Sequence, residues 1–225
     1  MKLLALLSTI AGVSALPQAA TTTASQQQQA NFNSFNVMSA RSASPIHLLP
    51  LNAASGGFYL GLQNASSYCP EVVEKLGACP PGTETVFDAG ANSLDVSVPG
   101  GQQVYIAPSG ALAFTQPHSA NIPAGSVVGA FSYSQKPGAT FGYWTLENSG
   151  LIACPVPAAA AAADACSSAV PSATPTPGAA NTASKWQVFA AWGNATVPSG
   201  NVRDCLGFDA LAVGRNGSAA AWEYL

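Results

Sequence analysis

The sequence predicts an all-β protein, either an antiparallel β sandwich or a β-trefoil-like barrel. Three observations carry that expectation: apolar residues alternate with a period of two in short runs, Gly, Pro and Asn interrupt the runs, and a strand-turn-strand form recurs along the chain. Leu94, Val96 and Val98 alternate up to Pro99-Gly100-Gly101, after which Val104 and Ile106 resume the period. Pro108-Ser109-Gly110 then turns the chain into Leu112 and Phe114. The form returns at Tyr143-Trp144-Thr145-Leu146, Asn148-Ser149-Gly150 and Leu151-Ile152, and again at Leu211-Ala212-Val213, Arg215-Asn216-Gly217 and Ala220-Ala221-Trp222. The recurrence is too faint to count as a repeat, so sandwich and trefoil both stay open.

The N-terminus reads as a secretory signal. Lys2 precedes an apolar run from Leu3 to Val13, and the small-residue triplet Val13-Ser14-Ala15 places cleavage after Ala15. The run is shorter than the roughly 20 residues that a membrane-spanning helix needs. Asp209, Arg215 and Glu223 near the C-terminus are at odds with the hydrophobic tail of a glycolipid-anchor signal, so no membrane anchor is expected. Residues 16–36, with Thr21-Thr22-Thr23 and Gln26 to Gln29, lack an apolar period and read as a disordered leader.

Residues 37–225 are expected to form a single β domain with a low-complexity insertion at 155–184, which is rich in Ala, Pro, Ser and Thr and resembles a linker. Its Ala158 to Ala163 stretch could instead make a turn or two of helix. The 41 residues from 185 to 225 are too few for a comfortable core of their own, so they should pack back onto residues 37–154.

Charge is sparse: Lys plus Arg number 7 and Asp plus Glu number 10 in 225 residues. Losing Lys2 with the signal takes the formal charge from −3 to −4. Scattered basic residues cannot make the patch that nucleic acid or an anionic membrane requires. An apolar content of 48% still permits collapse, and attached sugar would help solubility. Three sequons offer it, at Asn64-Ala65-Ser66, Asn194-Ala195-Thr196 and Asn216-Gly217-Ser218. Asn216 stands out because Asn-Gly is also a hairpin-turn signal.

Five cysteines, at 69, 79, 154, 166 and 205, face an oxidising destination, and an odd number leaves one over. Cys166 lies in the biased insertion, which makes Cys69–Cys79 and Cys154–Cys205 the economical disulfides and leaves Cys166 for a bond between molecules. On the chain-entropy relation the two bonds would contribute about 3 and 4 kcal/mol. Metal binding fails on spacing, since no two cysteines are two to four residues apart and neither histidine is near a pair.

No catalytic motif is visible. His47 and His118 are the only histidines, and no nucleophile elbow, zinc-protease helix or phosphate-binding glycine loop occurs. His47, between Ile46 and Leu48 in a strand pattern, reads as a solvated or core side chain. The carboxylate pairs Glu71 with Glu74 and Asp204 with Asp209 could be offered as a hydrolase dyad, but a solvated turn beside Lys75 and turn or cap positions beside Cys205 explain them better. Neither an enzyme nor a cofactor is expected. Sugar binding is the competing possibility: Trp186 and Trp192 would share one face of an unbroken strand with Val188, where an exposed face could stack on polysaccharide and a buried one is core.

Particular segments resemble a known family. Ser44-Pro45-Ile46-His47, Pro50-Leu51-Asn52-Ala53, Tyr68-Cys69-Pro70 and Cys79-Pro80-Pro81-Gly82 are similar to the opening of the fungal cell-wall protein phiA family. Val98-Pro99-Gly100-Gly101-Gln102-Gln103 and Gly110-Ala111-Leu112-Ala113-Phe114-Thr115-Gln116 continue the resemblance. It is strongest from Asn194 to Val202 and from Asp204 to Leu211, and departs at the poly-alanine insertion and the glutamine-rich leader. The resemblance implies a secreted, non-enzymatic wall protein of a filamentous fungus, needed for phialides and conidia, with IgE-binding antigens among its relatives. It carries over no catalytic residue, and its four matching cysteines leave out Cys166. The partners it implies are wall polysaccharide or wall proteins.

Overall fold

The computed structural model describes residues 32–157 and 184–225. The expected signal segment, residues 16–31 of the expected leader and most of the insertion, Cys166 included, lie outside them. The first strand, β1 (Ser34–Ala40), turns Phe35, Val37 and Ser39 inward and leaves Asn36, Met38 and Ala40 outward. This shortens the leader expected to run through residue 36. Phe32 already packs edge-on against Tyr133 at 5.0 Å, and Phe35 is fully buried. Two apolar anchors among polar neighbours are enough to start the strand there, although they make no run that alternation would reveal.

The next two strands, β2 (Leu51–Ala54) and β3 (Gly57–Leu60), form a tight hairpin around Ser55 and Gly56. Both turn residues have positive φ, 51° and 69°, which suits the twist of a two-residue hairpin. After β4 (Ser67–Tyr68), Pro70 leads into the single helical turn α1 (Glu71–Glu74). Short strands follow: β5 (Val86–Asp88), β6 (Ser93–Leu94), β7 (Gln102–Ile106) and β8 (Leu112–Phe114). Next come β9 (Val127–Val128), β10 (Phe131–Ser134), β11 (Gly142–Leu146) and β12 (Leu151–Pro155). Beyond the insertion lie β13 (Trp186–Ala190), a 3₁₀ turn at Val202–Asp204, β14 (Leu206–Arg215) and β15 (Glu223–Tyr224).

Among the described residues all strand pairs are antiparallel, and the main path closes on itself. It runs β1, β5, β6, β7, β8, β3, β13, β12, β14, and β14 then pairs with β1 from Ser34↔Arg215 to Ala40↔Asp209. Two sheets share β7 and β14, which makes the molecule a sandwich whose layers are joined through those two strands. β14 does most of the joining: Leu206–Phe208 pair with β12, and Leu211 and Ala212 pair with β11. Among the described residues the pairings show no threefold repetition of the trefoil kind.

Two of the expected hairpins hold and two do not. β6 with β7, and β7 with β8 around Pro108-Ser109-Gly110, pair as the alternation suggests. β11 and β12, by contrast, do not pair with each other across Asn148-Ser149-Gly150. The turn passes the chain from one sheet to the other. Arg215-Asn216-Gly217 is not a hairpin either, since β15 pairs with β4 and Ala221 bridges Val96 in parallel. The physical reason is the same in both cases: each strand already has neighbours along both edges, so its sequence successor must go elsewhere.

The core is aromatic. Phe87 stacks on Phe35 and Phe58, each at 5.6 Å between ring centroids, and tilts against Trp144 at 4.5 Å. Trp144 in turn stacks on Phe131 at 4.3 Å and donates from Nε1 to Ala91 O. A second, smaller cluster of Ile152, Cys154, Phe189, Ala195 and Val197 lies against the Cys154–Cys205 bond.

Candidate functional site

The outward face of β11, β14 and β1 carries a row set by strand register. Tyr143 pairs with Leu211, Leu211 with Met38, and Met38 bridges Pro50, so their side chains share one side of the sheet. Tyr143 is 44% exposed, and Phe141 beside it is also exposed. Ser132 and Thr145 pair through their hydroxyls on the neighbouring stretch of this face.

The row ends at a cleft of about 280 Å³ between β1, the start of β2 and residues 63–64 and 83–85. Its lining mixes Met38, Pro50 and Leu51 with Asn36, Asn52, Gln63, Asn64 and Glu84. Asn36 Nδ2 donates to Thr85 O and Glu84 Oε2, and Asn52 Nδ2 to Leu62 O. Among the described residues the side chains of Gln63 and Asn64 make no hydrogen bond, and neither do the Oδ1 atoms of Asn36 and Asn52. Neutral amides beside small apolar surfaces are the groups that engage sugar hydroxyls and C–H faces.

The sequence-derived candidates distribute differently. Trp186 is 1% exposed and packs in the core with Val188, so it cannot present a stacking face. The strand ends at Ala190, and Trp192 sits past a tight turn, its N–H on Ala190 O and its ring half-buried between the two clusters. The six-residue spacing assumed an unbroken strand; the turn breaks it. His47 lies in a turn rather than a strand, exposed, with Nδ1 accepting from Arg41 N. Ile46 is buried there while Leu48 is exposed. His118, in an exposed turn, faces a second shallow cleft with Pro99, Gln103, Thr115 and Ser119 and no carboxylate in its lining.

Glu71 pairs with Lys75 at 2.6 Å on the exposed helical turn that also carries Glu74, while Asp204 and Asp209 belong to the 3₁₀ turn and to β14. The three sequon asparagines are exposed; Asn216 Oδ1 accepts from Asn33 N. Both expected disulfides are present, Cys69–Cys79 and Cys154–Cys205. No group of three His, Cys, Asp or Glu able to hold a metal occurs among the described residues.

A family description of PhiA-like secreted proteins matches residues 35–163, more than half of the chain. The chain belongs to the PhiA-like secreted proteins. It is also 42% identical over 181 residues, 78% of its length and 77% of the relative's, to a protein of Arthroderma benhamiae described as an uncharacterized secreted protein. No solved structure matches. The PhiA-like match runs from β1 through β12 and takes in both walls of the amide-lined cleft.

Sequence reasoning missed that cleft because no motif marks it. Asn36 and Met38 alternate with buried Phe35 and Val37, which places them outward, but their meeting with Pro50, Gln63 and Glu84 is a product of the tertiary pairing. Burial also perturbs acids that the sequence did not single out. It pushes the Asp95 carboxyl up, against the pull of the Ser34 hydroxyl and Arg215, with Asp88 adding to the rise. The Tyr224 phenol is likewise pushed well up by burial.

Proposed function

We propose that this secreted PhiA-like chain is a non-enzymatic structural constituent of the cell wall of a filamentous fungus, involved in phialide and conidium formation. The observation that supports it most is the match to PhiA-like secreted proteins, beside the disposition of the candidate ionisable groups: among the described residues none of His47, His118, Glu71, Glu74, Asp204 and Asp209 bonds to another of the set, Glu71 pairing with Lys75 and His47 accepting from Arg41 N. Catalysis needs such groups to converge on one reacting atom. Deleting the gene in the source fungus and imaging its spore-bearing cells tests the developmental role: malformed phialides and fewer conidia are expected, and normal ones would sink it.

The row from Tyr143 to Pro50 favours a second reading, carbohydrate binding on a sheet face. Retention of the purified protein on insoluble glucan or chitin, lost in Tyr143→Ala, is the outcome that reading requires.

A further inference from the structure

Of the three sequons, the one at Asn64 is placed differently from the others: its asparagine lines the amide-rich cleft, whereas Asn194 and Asn216 line neither that cleft nor the one at His118. The residues after it are fixed by the fold. Ala65 N donates to Thr83 O at 2.9 Å and Ser66 N to Ala53 O at 2.8 Å, which sets Asn64 against the wall formed by residues 83–85. The opposite wall offers Met38 and Pro50 as apolar surface and Asn36 and Asn52 as acceptors. A sugar attached at Asn64 would be held beside complementary groups by a covalent tether, and the tether's high effective concentration makes even weak contacts count.

We propose that Asn64 carries an N-linked glycan whose first sugar residues are seated in this cleft, so that the glycan is part of the folded structure. The attachment is made in the secretory pathway from a polyprenyl-pyrophosphate-linked oligosaccharide. Asn64 Nδ2 bonds to the anomeric carbon, the polyprenyl pyrophosphate leaves with the bonding electrons, and the amide gives up one proton. The cleft then orders the inner sugars: their C–H faces lie on Met38 and Pro50, and their hydroxyl and acetamido groups meet Asn36, Asn52 and Gln63. A neutral cleft suits neutral sugar, apart from Glu84, which accepts from Asn36 and lies 4.0 Å from Arg215. This inference rests on secretion and not on the wall role, so the two fail separately.

The test uses the full-length secreted protein and its Asn64→Gln, Ser66→Ala, Asn194→Gln and Asn216→Gln variants. Peptide mapping should find Asn64 modified. Under native conditions a peptide-N-glycosidase should release its glycan at least tenfold more slowly than after denaturation, and Gln63→Ala should speed the native release. Asn64→Gln and Ser66→Ala should lower the melting temperature equally, by several degrees, on the scale of roughly 2–4 °C per kcal/mol for a chain of this size. Asn194→Gln should leave it within about a degree, as surface changes usually do; Asn216→Gln also removes the acceptor of Asn33 N, so that variant is read by peptide mapping alone. The agreement of the first two variants matters because they remove the glycan through different side chains. An unmodified Asn64 would overturn the proposal, whether or not soluble glucan oligomers then bind the cleft. So would a modified Asn64 whose glycan is released as readily from native as from denatured protein, with no change in melting.

Discussion

Two amide side chains do the work of missing strand pairs. Gln102 donates to Thr115 O and Tyr224 O and accepts from Tyr224 N at 2.7 Å, and Asn92 clips Phe131 in the same way through its N–H and C=O. Tyr224 completes the arrangement: fully buried, it donates from its hydroxyl to Glu84 O and accepts from Val86 N. Tyr224→Phe leaves Val86 N and Glu84 O unsatisfied and should cost about 1–3 kcal/mol in urea unfolding, with Gln102→Ala comparable. Phe87→Ala, at the hub of the aromatic stack, should cost more, about 3–5 kcal/mol. Asp95 makes a pH-dependent contribution. Its folded pKa is raised, so the stability it adds is complete below the unfolded carboxylate value of about 4 and is lost as pH rises through the folded one. Asp95→Asn should therefore gain stability relative to the native chain as pH rises above about 4, and a difference that stays flat would show that burial does not govern this group.

At the scale of elements, alternation announced β7, β8 and β11, because each turns one face to the core and one to water. The destination of a strand was less legible. β12 is buried at every position, so period-two reading cannot orient it, and the occupied edges of β14 decide which successors form hairpins. Disulfide pairing was readable from spacing and surroundings, but the two bonds hold unequal structures. Cys154 is fully buried in the smaller core cluster, whereas the Cys69–Cys79 loop carries a helical turn with no buried residue. Cys154→Ser or Cys205→Ser should cost about 4 kcal/mol, and Cys69→Ser with Cys79→Ser at most about 3, because the outer loop can fray with little loss of packing. Equal losses in denaturant would mean that the outer loop is tied to the core after all.

For the molecule as a whole, the sequence made secretion, β architecture and sparse charge plain, while the surface that meets the outside stayed hidden. Trp186 and Trp192 drew the eye as aromatic residues, yet closure of the sheet puts one in the core and the other past the strand end. The exposed row and the cleft it leads to are made by register between strands far apart in sequence, which no local pattern encodes. The proposed wall role requires the chain to be found in the wall itself. Fractionating the source fungus into washed walls and culture medium, and assaying this chain in both, is the most direct test. Most of the chain should remain with the walls, without turnover of glucan, chitin or peptide by the purified protein. A chain found wholly in the medium, or one that hydrolyses any of these and loses that activity on replacing Glu71, Glu74, Asp204 or Asp209, would contradict the structural role.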